Sequence, residues 1–234
     1  MPGAPGGQRG DVAVVIPAGG LGTRLGRRTP KQLLTLGRTP ILAVTVRHFV
    51  EHPGTSAIVV AAPTRYLSRT RRLLAPLAGR RPLTVVEGGL TRQESVWRAL
   101  QATPGDAELI VVHDAVRPFI TRALIDAVLH AARADGAALC ALPIAETVKR
   151  VSGEYVETTL DRSSLWAAQT PQAFRAALLR EAHEKSHRDG IFGTDEAMLV
   201  ERLGVPVRIV RGLEANIKIT TPDDLRRARA WARR

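Results

Sequence analysis

The sequence has little that is typical of membrane proteins, disulfide-bonded proteins or proteins that stack nucleic-acid bases. It contains no apolar run close to the roughly 20 residues that a membrane-spanning helix requires. Its single cysteine, Cys140, cannot form an internal disulfide, and the apolar run around it predicts a core thiol rather than a nucleophile. Aromatic residues make up 4% of the chain, too few to favour a stacking surface for single strands. We therefore expect neither a membrane nor a nucleic acid as a partner.

Residues 1–10 lack the apolar segment of a signal peptide. This stretch, MPGAPGGQRG, is rich in proline and glycine, which predicts a disordered tail on a cytoplasmic protein. The remaining residues, 11–234, contain no repeat and no linker that would divide them. Because one core can grow to roughly 250 residues before chains split, we predict a single domain over 11–234.

The charge balance is strongly basic and requires an explanation. A formal net charge of +12 fits a nucleic acid, an acidic surface or an anionic small substrate. The densest basic run, LRRARAWARR at 225–234, is more typical of a solvated terminal helix with cations at its negative end, and no zinc-finger motif accompanies it. A non-catalytic nucleic-acid-binding protein is nevertheless the alternative that the charge leaves open.

Short apolar runs alternate with helical patterns along the chain. Runs that are apolar on both faces are typical of strands in a covered parallel sheet. Helix starts are marked by Thr91 with Glu94 and by Thr221 with the acidic first turn that follows it. The pattern predicts an α/β fold with a doubly wound, mostly parallel sheet, whose ligands bind beyond the carboxyl ends of the strands. The predicted strands are 12–17, 57–62, 83–86, 108–113, 137–143 and 207–210.

Residues 146–166 interrupt this alternation. They read as two short strands around a turn at Ser152 and Gly153, with no helix between them. Because an isolated two-stranded hairpin is marginally stable in water, we expect this protruding β-arm (146–166) to pack on something else. Contact with a second subunit and contact with its own domain are equally compatible with the sequence.

A glycine-rich loop follows the first predicted strand, in the stretch VVIPAGGLGTRLGRRTPKQLL at 14–34. Its glycines allow tight turns and let backbone N–H groups approach a phosphate closely. A dinucleotide fingerprint would need glycine where Leu25 stands and an acid about 20 residues later, yet none occurs between Asp11 and Glu51. A Walker loop needs Gly-Lys-Ser/Thr, whereas Lys31 follows a proline. Both familiar nucleotide loops are therefore excluded.

Basic residues surround the glycine loop without a carboxylate to neutralise them. Arg24 can donate two hydrogen bonds to phosphate oxygens, and Lys31 offers a compact charge on backbone that Pro30 restrains. A generic strand-to-helix turn with solvated arginines is the alternative. We predict that this loop binds a polyphosphate.

The stretch PAGGLGTRLGRRTPKQ is similar to the signature of nucleotidyltransferases that join a nucleoside triphosphate to a phosphorylated alcohol or sugar. Together with later segments, it resembles the 2-C-methyl-D-erythritol 4-phosphate cytidylyltransferase family of the non-mevalonate isoprenoid pathway. The resemblance implies a Rossmann-like enzyme that transfers CMP from CTP to 2-C-methyl-D-erythritol 4-phosphate, giving 4-CDP-2-C-methyl-D-erythritol and pyrophosphate. The later segments are GGLTRQESV, HDAVRPF, ETVKR, TLDRSSLW, QTPQAF, TDEA and NIKIT.

The resemblance also implies a CTP site. Gly88, Gly89 and Ser95 would recognise the cytosine ring, while Leu90 departs from the polar residue of some relatives. Asp114 ends a predicted strand, where phosphates would repel it unless Mg²⁺ lay between them, so we predict that it binds the metal. Alone, Asp114 would be read as the cap of a turn. The predicted CTP-binding residues are Pro17, Ala18, Gly19, Gly20, Leu21, Gly22, Gly88, Gly89, Ser95, Asp114 and Ala115.

The acceptor site implied by the resemblance draws on two subunits. Arg117 would face the acceptor phosphate, and Thr170 would join that site. Thr147 and Arg162 of one β-arm would bind the acceptor in the partner's site, which makes the protein a homodimer. Lys218, on a predicted late strand, would help to position the acceptor. Without the resemblance, such residues are ordinary outward side chains of strands.

The implied chemistry is an in-line attack of the acceptor phosphate on the α-phosphorus of CTP, without a covalent enzyme intermediate. Arg24, Lys31 and Mg²⁺ would stabilise the growing charge, while Arg162 and Lys218 would align the attacking oxygen. His113 is not needed as a base, because the acceptor is an ionised phosphate. The TDEA segment is fully explained as a helix start. A ribitol 5-phosphate cytidylyltransferase is the alternative within the class.

Overall fold

The computed structural model describes residues 11–20, 29–79 and 81–232. The predicted tail at 1–10 and the predicted site residues Leu21, Gly22 and Arg24 lie outside the described residues, so they stay predictions.

A seven-stranded mixed sheet forms the centre of the described part of the chain. Its strands are β1 (Val12–Pro17), β4 (Thr55–Ala62), β5 (Leu83–Glu87), β6 (Leu109–Val112), β7 (Ala137–Pro143), β10 (Trp166–Arg175) and β11 (Arg208–Arg211). They lie in the order β11-β7-β10-β6-β1-β4-β5, and neighbouring strands are parallel except where β10 runs antiparallel to β6 and β7. Two smaller antiparallel pairs are β2 (Thr35–Leu36) with β3 (Thr39–Pro40), and β8 (Val148–Ser152) with β9 (Tyr155–Leu160).

Helices cover both faces of the sheet. They are α1 (Ile41–Val50), α2 (Leu67–Leu74), α3 (Arg92–Gln101), α4 (Arg122–Asp135), α5 (Ala176–Arg188), α6 (Glu196–Glu201) and α7 (Pro222–Trp231). Val14 and Ile16 of β1 belong to one core with side chains of α1, α2 and α4. The alternate residues Ala13 and Val15 belong to a second core with α3, α5 and α6. The predicted doubly wound, mostly parallel sheet is therefore confirmed. Within the described residues, no helix is long and apolar enough to span a bilayer.

The strand β10 was not expected from the sequence. It lies between β6 and β7, and its pairing with β7 is irregular between Ala168 and Gln172. Pro171 falls inside this irregular part, and a proline within an apolar run argues against a central strand by sequence rules. The other six strands of the central sheet match their predicted positions, with ends that differ by at most two residues, whereas the short strands β2 and β3 were not predicted.

The predicted late strand around Lys218 is wrong. Residues 212–221 have no regular secondary structure apart from one turn, and their backbone is anchored by other contacts. The Ile219 N–H donates to the Val116 carbonyl at 3.0 Å, and the side chains of Ile219 and Asn216 are buried. This anchoring places Lys218 next to the turn that follows β6.

The β-arm is a separate hairpin of β8 and β9, with Gly153 at its turn in a left-handed conformation (φ 57°) that favours glycine. Val151 and Val156 are each at least 60% exposed. Thr147 and Arg162 lie just outside the two strands, at the base of the hairpin, rather than on them. The hairpin is confirmed, although its turn lies at Gly153 and Glu154 rather than at Ser152 and Gly153. Its contact with a second subunit stays a prediction.

Candidate active site

A cleft opens beyond the carboxyl ends of β1 and β6, where the strand order changes direction. Ligands of doubly wound sheets bind at such switch points. Ten of the predicted site residues line this cleft, alongside Gln32, Leu90, Thr91, Arg92 and Val116. The ten are Pro17, Ala18, Gly19, Gly20, Lys31, Gly89, Ser95, Asp114, Ala115 and Lys218.

One wall of the cleft is built from closely packed glycine backbone. A Cβ atom added to Gly19 would lie 2.6 Å from the Ser95 Oγ, and one added to Gly88 would lie 3.1 Å from the same oxygen. The buried Ser95 hydroxyl accepts a hydrogen bond from the Gly89 N–H at 3.0 Å and donates to the Thr91 carbonyl at 2.9 Å. Ser95 therefore fixes the turn before α3 against the end of β1, so that backbone groups face the cleft.

Gln32 also organises the cleft and was not singled out from the sequence. Its side-chain amide donates to the Ala18 carbonyl at 2.5 Å and to the Gly20 carbonyl at 3.2 Å. Gln32 is buried and belongs to a single helical turn, Lys31–Leu33, so its hydrogen bonds fix the turn that carries Lys31. The structure thereby places Lys31 beside the end of β1, as the polyphosphate prediction requires.

Asp114 follows β6 and is surrounded by cations. Its Oδ2 lies 3.2 Å from the Arg117 Nε and 3.0 Å from the Lys218 Nζ, and its Oδ1 lies 3.3 Å from the Arg92 Nε. Burial alone would raise the pKa of Asp114, but the charges of Arg92, Lys218 and Arg117 outweigh it and hold the pKa well below its ordinary value. Asp114 is therefore an ionised carboxylate at neutral pH.

Arg92 and the buried Glu196 form an ion pair next to Asp114, and neither was assigned a role from the sequence. The Glu196 Oε1 accepts from the Arg92 Nη1 at 2.8 Å, and Glu196 is completely buried. Burial raises the pKa of Glu196, which the charge of Arg92 opposes. The predicted helix start is confirmed, because the Asp195 side chain accepts from the Met198 N–H at 3.0 Å. Capping by Asp195 nevertheless leaves the contact between Glu196 and Arg92 unexplained.

Thr170 bonds to the backbone of Asp114, and His113 bonds to Thr170. The Thr170 hydroxyl oxygen accepts from the Asp114 N–H and contacts the His113 Nδ1, both at 3.0 Å. The His113 Nε2 lies 3.1 Å from the Arg117 carbonyl and must carry the proton there, so the Nδ1 accepts from Thr170. Burial lowers the pKa of His113 to about 4. A neutral imidazole with both nitrogens engaged is a structural group, in agreement with the prediction that it is no general base.

A second cavity lies on the other side of Asp114 and contains the predicted acceptor residues Arg117 and Thr170. Arg92, Asp114 and Lys218 line both cavities. Arg117 is largely buried and also donates to the Asn216 carbonyl at 2.7 Å. The site is therefore two adjoining cavities that share one carboxylate and two cations.

The base of the β-arm does not reach either cavity of its own chain. Thr147 and Arg162 are exposed, and neither lines the cleft or the second cavity. The Arg162 guanidinium donates to the Ala145 carbonyl, which holds it against the arm. Their predicted place in a partner's site stays a prediction.

A glycine-walled cleft at the switch point of a doubly wound sheet, with two arginines and a lysine around a buried carboxylate, is typical of a Rossmann-like nucleotidyltransferase. Comparison with known proteins identifies the family within this class. The chain belongs to the family described as IspD, 2-C-methyl-D-erythritol 4-phosphate cytidylyltransferase, whose model matches residues 12–234. The predicted family, fold class and enzyme class are confirmed, which argues against the non-catalytic nucleic-acid-binding alternative.

Named relatives support the same membership over nearly the whole chain. A 2-C-methyl-D-erythritol 4-phosphate cytidylyltransferase of Symbiobacterium thermophilum is 45% identical over 224 residues, which cover 95% of this chain and 93% of the relative. The solved structure of such an enzyme from Thermus thermophilus is 37% identical with a TM-score of 0.77, covering 95% of this chain and 98% of that one. The 4-diphosphocytidyl-2C-methyl-D-erythritol synthase of Anaerococcus prevotii has a TM-score of 0.83 at 28% identity, covering 95% and 98%.

Proposed function

We propose that the cleft transfers CMP from CTP to 2-C-methyl-D-erythritol 4-phosphate, releasing pyrophosphate, as a step of isoprenoid precursor biosynthesis. The observation that carries the proposal is the convergence of Lys31, Asp114 and Lys218 on a glycine-walled cleft in a member of this family. The names of the relatives favour this acceptor over ribitol 5-phosphate.

The nucleotide is assigned to the cleft and the acceptor to the second cavity. Gly19, Gly88 and Gly89 let this wall pack closely, because a Cβ atom added to any of them would collide with Ser95 or Glu94. The planar base is assigned to this wall, where Ser95 holds the Gly89 N–H. The triphosphate then lies toward Lys31, which is fixed by its neighbour Gln32. This arrangement brings the α-phosphorus to the region that both cavities share.

The reaction forms one P–O bond and breaks another. An oxygen of the acceptor phosphate attacks the α-phosphorus, and the bond from that phosphorus to the bridging oxygen of the β-phosphate breaks, so pyrophosphate departs with its electron pair. The acceptor is already ionised, so no residue has to remove a proton, in keeping with the neutral, fully engaged His113. Lys31 and Lys218 stabilise negative charge on the transferring group and align the two phosphates, and Arg24 is proposed to join them.

The side chains available in the cleft also determine how the proposed magnesium ion could bind. Among the described residues, no group of three or more His, Cys, Asp or Glu side chains is arranged to hold a metal. Mg²⁺ is commonly bound by one or two carboxylates together with substrate phosphates, and Asp114 with a triphosphate fits that pattern. Lys218, the most exposed of the cations around Asp114, would move aside to admit the ion. When bound, Mg²⁺ supplies positive charge that neutralises the phosphates.

The proposed enzyme is a homodimer whose β-arm contributes Thr147 and Arg162 to the acceptor site of the partner. Arg117 and Thr170 supply the remaining acceptor contacts within the chain. The exposed apolar side chains Val151 and Val156 support this assignment, because a hairpin with so little packing of its own needs another surface.

Pyrophosphate release tests the proposal directly. The protein is incubated with CTP, Mg²⁺ and either 2-C-methyl-D-erythritol 4-phosphate or ribitol 5-phosphate, with each substrate alone as a control. We expect release only with CTP and the methylerythritol acceptor. Release that depends on ribitol 5-phosphate instead would refute the acceptor assignment, and no release with either acceptor would refute the activity.

A further inference from the structure

Glu196 is a buried carboxylate with one partner in the described structure. Its Oε1 contacts the Arg92 Nη1 at 2.8 Å, while its Oε2 is buried and has no hydrogen-bond partner among the described residues. The same guanidinium reaches the Asp114 Oδ1 through its Nε at 3.3 Å. One arginine therefore connects a buried anion to the carboxylate between the two cavities.

Stability alone does not account for this ion pair. A buried carboxylate is costly, and one with an unsatisfied oxygen is more so. Apolar residues of similar volume commonly serve a core as well as a buried ion pair or better. The ion pair therefore indicates a role at Asp114, which Arg92 also contacts.

Glu196 is held in place independently of Arg92. The Gln172 side chain on β10 donates to the Asp195 Oδ2 at 2.8 Å and accepts from the Ala197 N–H at 3.2 Å. These bonds fix the first turn of α6 on both sides of Glu196. Glu196 is thus an anchored anion, and Arg92 is the movable partner, with 28% of its side chain exposed in the cleft.

We propose that Glu196 and Arg92 are positioning residues that fix the carboxylate of Asp114 between the two substrates, an inference that rests on the proposed function. A bound triphosphate attracts every cation that lines the cleft, and Glu196 keeps Arg92 from turning toward it. When Lys218 leaves Asp114 for a substrate phosphate, Arg92 still holds one oxygen of Asp114 and Arg117 still holds the other. The orientation of the carboxylate is therefore maintained during turnover.

Four variants separate positioning from a purely structural role: Arg92→Met, Glu196→Met, the double variant, and Arg133→Met as a control. Arg133 pairs with Asp11 at the amino end of β1, opposite the cleft, and so loses one charge without touching the site. Each single change at the pair leaves a partner unmatched and should lower the melting temperature, whereas the double change should restore it. We expect kcat to stay about tenfold or more below that of the wild type in the double variant, with KM for CTP changed less than kcat, because the substrates bind but are misaligned.

A purely structural role of the ion pair predicts a different outcome. If the pair serves only the fold, kcat will recover together with the melting temperature in the double variant, and the inference is overturned. A crystal structure of the Glu196→Met variant with CTP provides a readout that does not depend on the acceptor: the Arg92 Nε should lie beyond hydrogen-bond distance of Asp114. An unmoved Arg92 would overturn the inference, whereas a wild type that releases no pyrophosphate would defeat the proposed function instead.

Discussion

Replacing Lys31 with alanine removes one positive charge from the cleft while leaving its walls in place. Lys31 is the first residue of a single helical turn, and it is Gln32, not Lys31, that bonds to the Ala18 and Gly20 carbonyls. The turn should therefore persist in the Lys31→Ala variant. The melting temperature of the variant, measured beside its activity, separates the loss of the ammonium group from an effect on the fold.

The expected magnitude follows from the charge and its surroundings. A unit charge about 4 Å from a phosphate oxygen, at an effective dielectric constant of about 20, contributes about 4 kcal/mol. Since each tenfold change in rate corresponds to about 1.4 kcal/mol, complete loss of this contribution would slow turnover roughly 10³-fold. Part of it acts equally on bound CTP, so we expect kcat to fall by a factor on the order of 10².

Steady-state pyrophosphate release at saturating CTP and acceptor measures this effect. Lys185→Ala is a matched control, because Lys185 is on the exposed side of α5, paired with Asp189 at 3.0 Å, and lines neither cavity. Near-normal kcat in the Lys31→Ala variant would refute the assignment of Lys31 to the transferring phosphate. An equal loss in both variants would point to a general effect of charge on the protein.

Further predictions concern the wall, the buried histidines and the arm. Gly19→Ala places a methyl group 2.6 Å from the Ser95 Oγ and should raise KM for CTP about tenfold, whereas Gly105→Ala, which meets no atom within 4 Å, should leave it unchanged. The melting temperature should fall as the pH is lowered from about 6.5 toward 4. Burial lowers the pKa of His113 and His183 to about 4, so in this pH range only the unfolded chain takes up protons at these residues. A melting temperature that does not change with pH would contradict this. Val156→Asp should convert dimers to monomers in sedimentation experiments and remove activity, and an active, dimeric variant would disprove the role of the arm.

The strands of the sheet were predictable where the apolar pattern within the strand itself indicates them. Runs such as 12–17 and 137–143 are apolar on both faces, and both form strands of the central sheet with the predicted bounds. The strand β10 was missed because Pro171 interrupts it and because its pairing depends on β6 and β7, which are distant in sequence. The segment NIKIT has the alternation of a strand, yet Ile219 bonds to Val116 and produces an irregular anchor instead.

The part of the site that follows the carboxyl ends of strands was predictable, because the topology of the sheet brings these ends together. Gly19, Ser95 and Asp114 were each expected at the same sheet edge, and the structure brings them to one cleft. Arg92 and Glu196 were missed because they are 104 residues apart, and nothing local in either segment indicates the other. The TDEA segment was already explained as a helix start, so no unexplained feature remained to suggest a second role for its glutamate.

The ion pair between Lys218 and Asp114 means that any anion entering the cleft competes with Asp114 for this lysine. An incoming anion has to displace a carboxylate that already lies 3.0 Å from the Lys218 Nζ. A small monoanion gains from that lysine about what the broken pair loses, so chloride or bicarbonate has little advantage there. A nucleoside triphosphate bound as proposed would also reach Lys31 and the backbone N–H groups of the glycine wall, and would thus exceed the threshold that Asp114 sets. The carboxylate that is proposed to lie between the substrates would therefore also keep small anions out of the empty cleft.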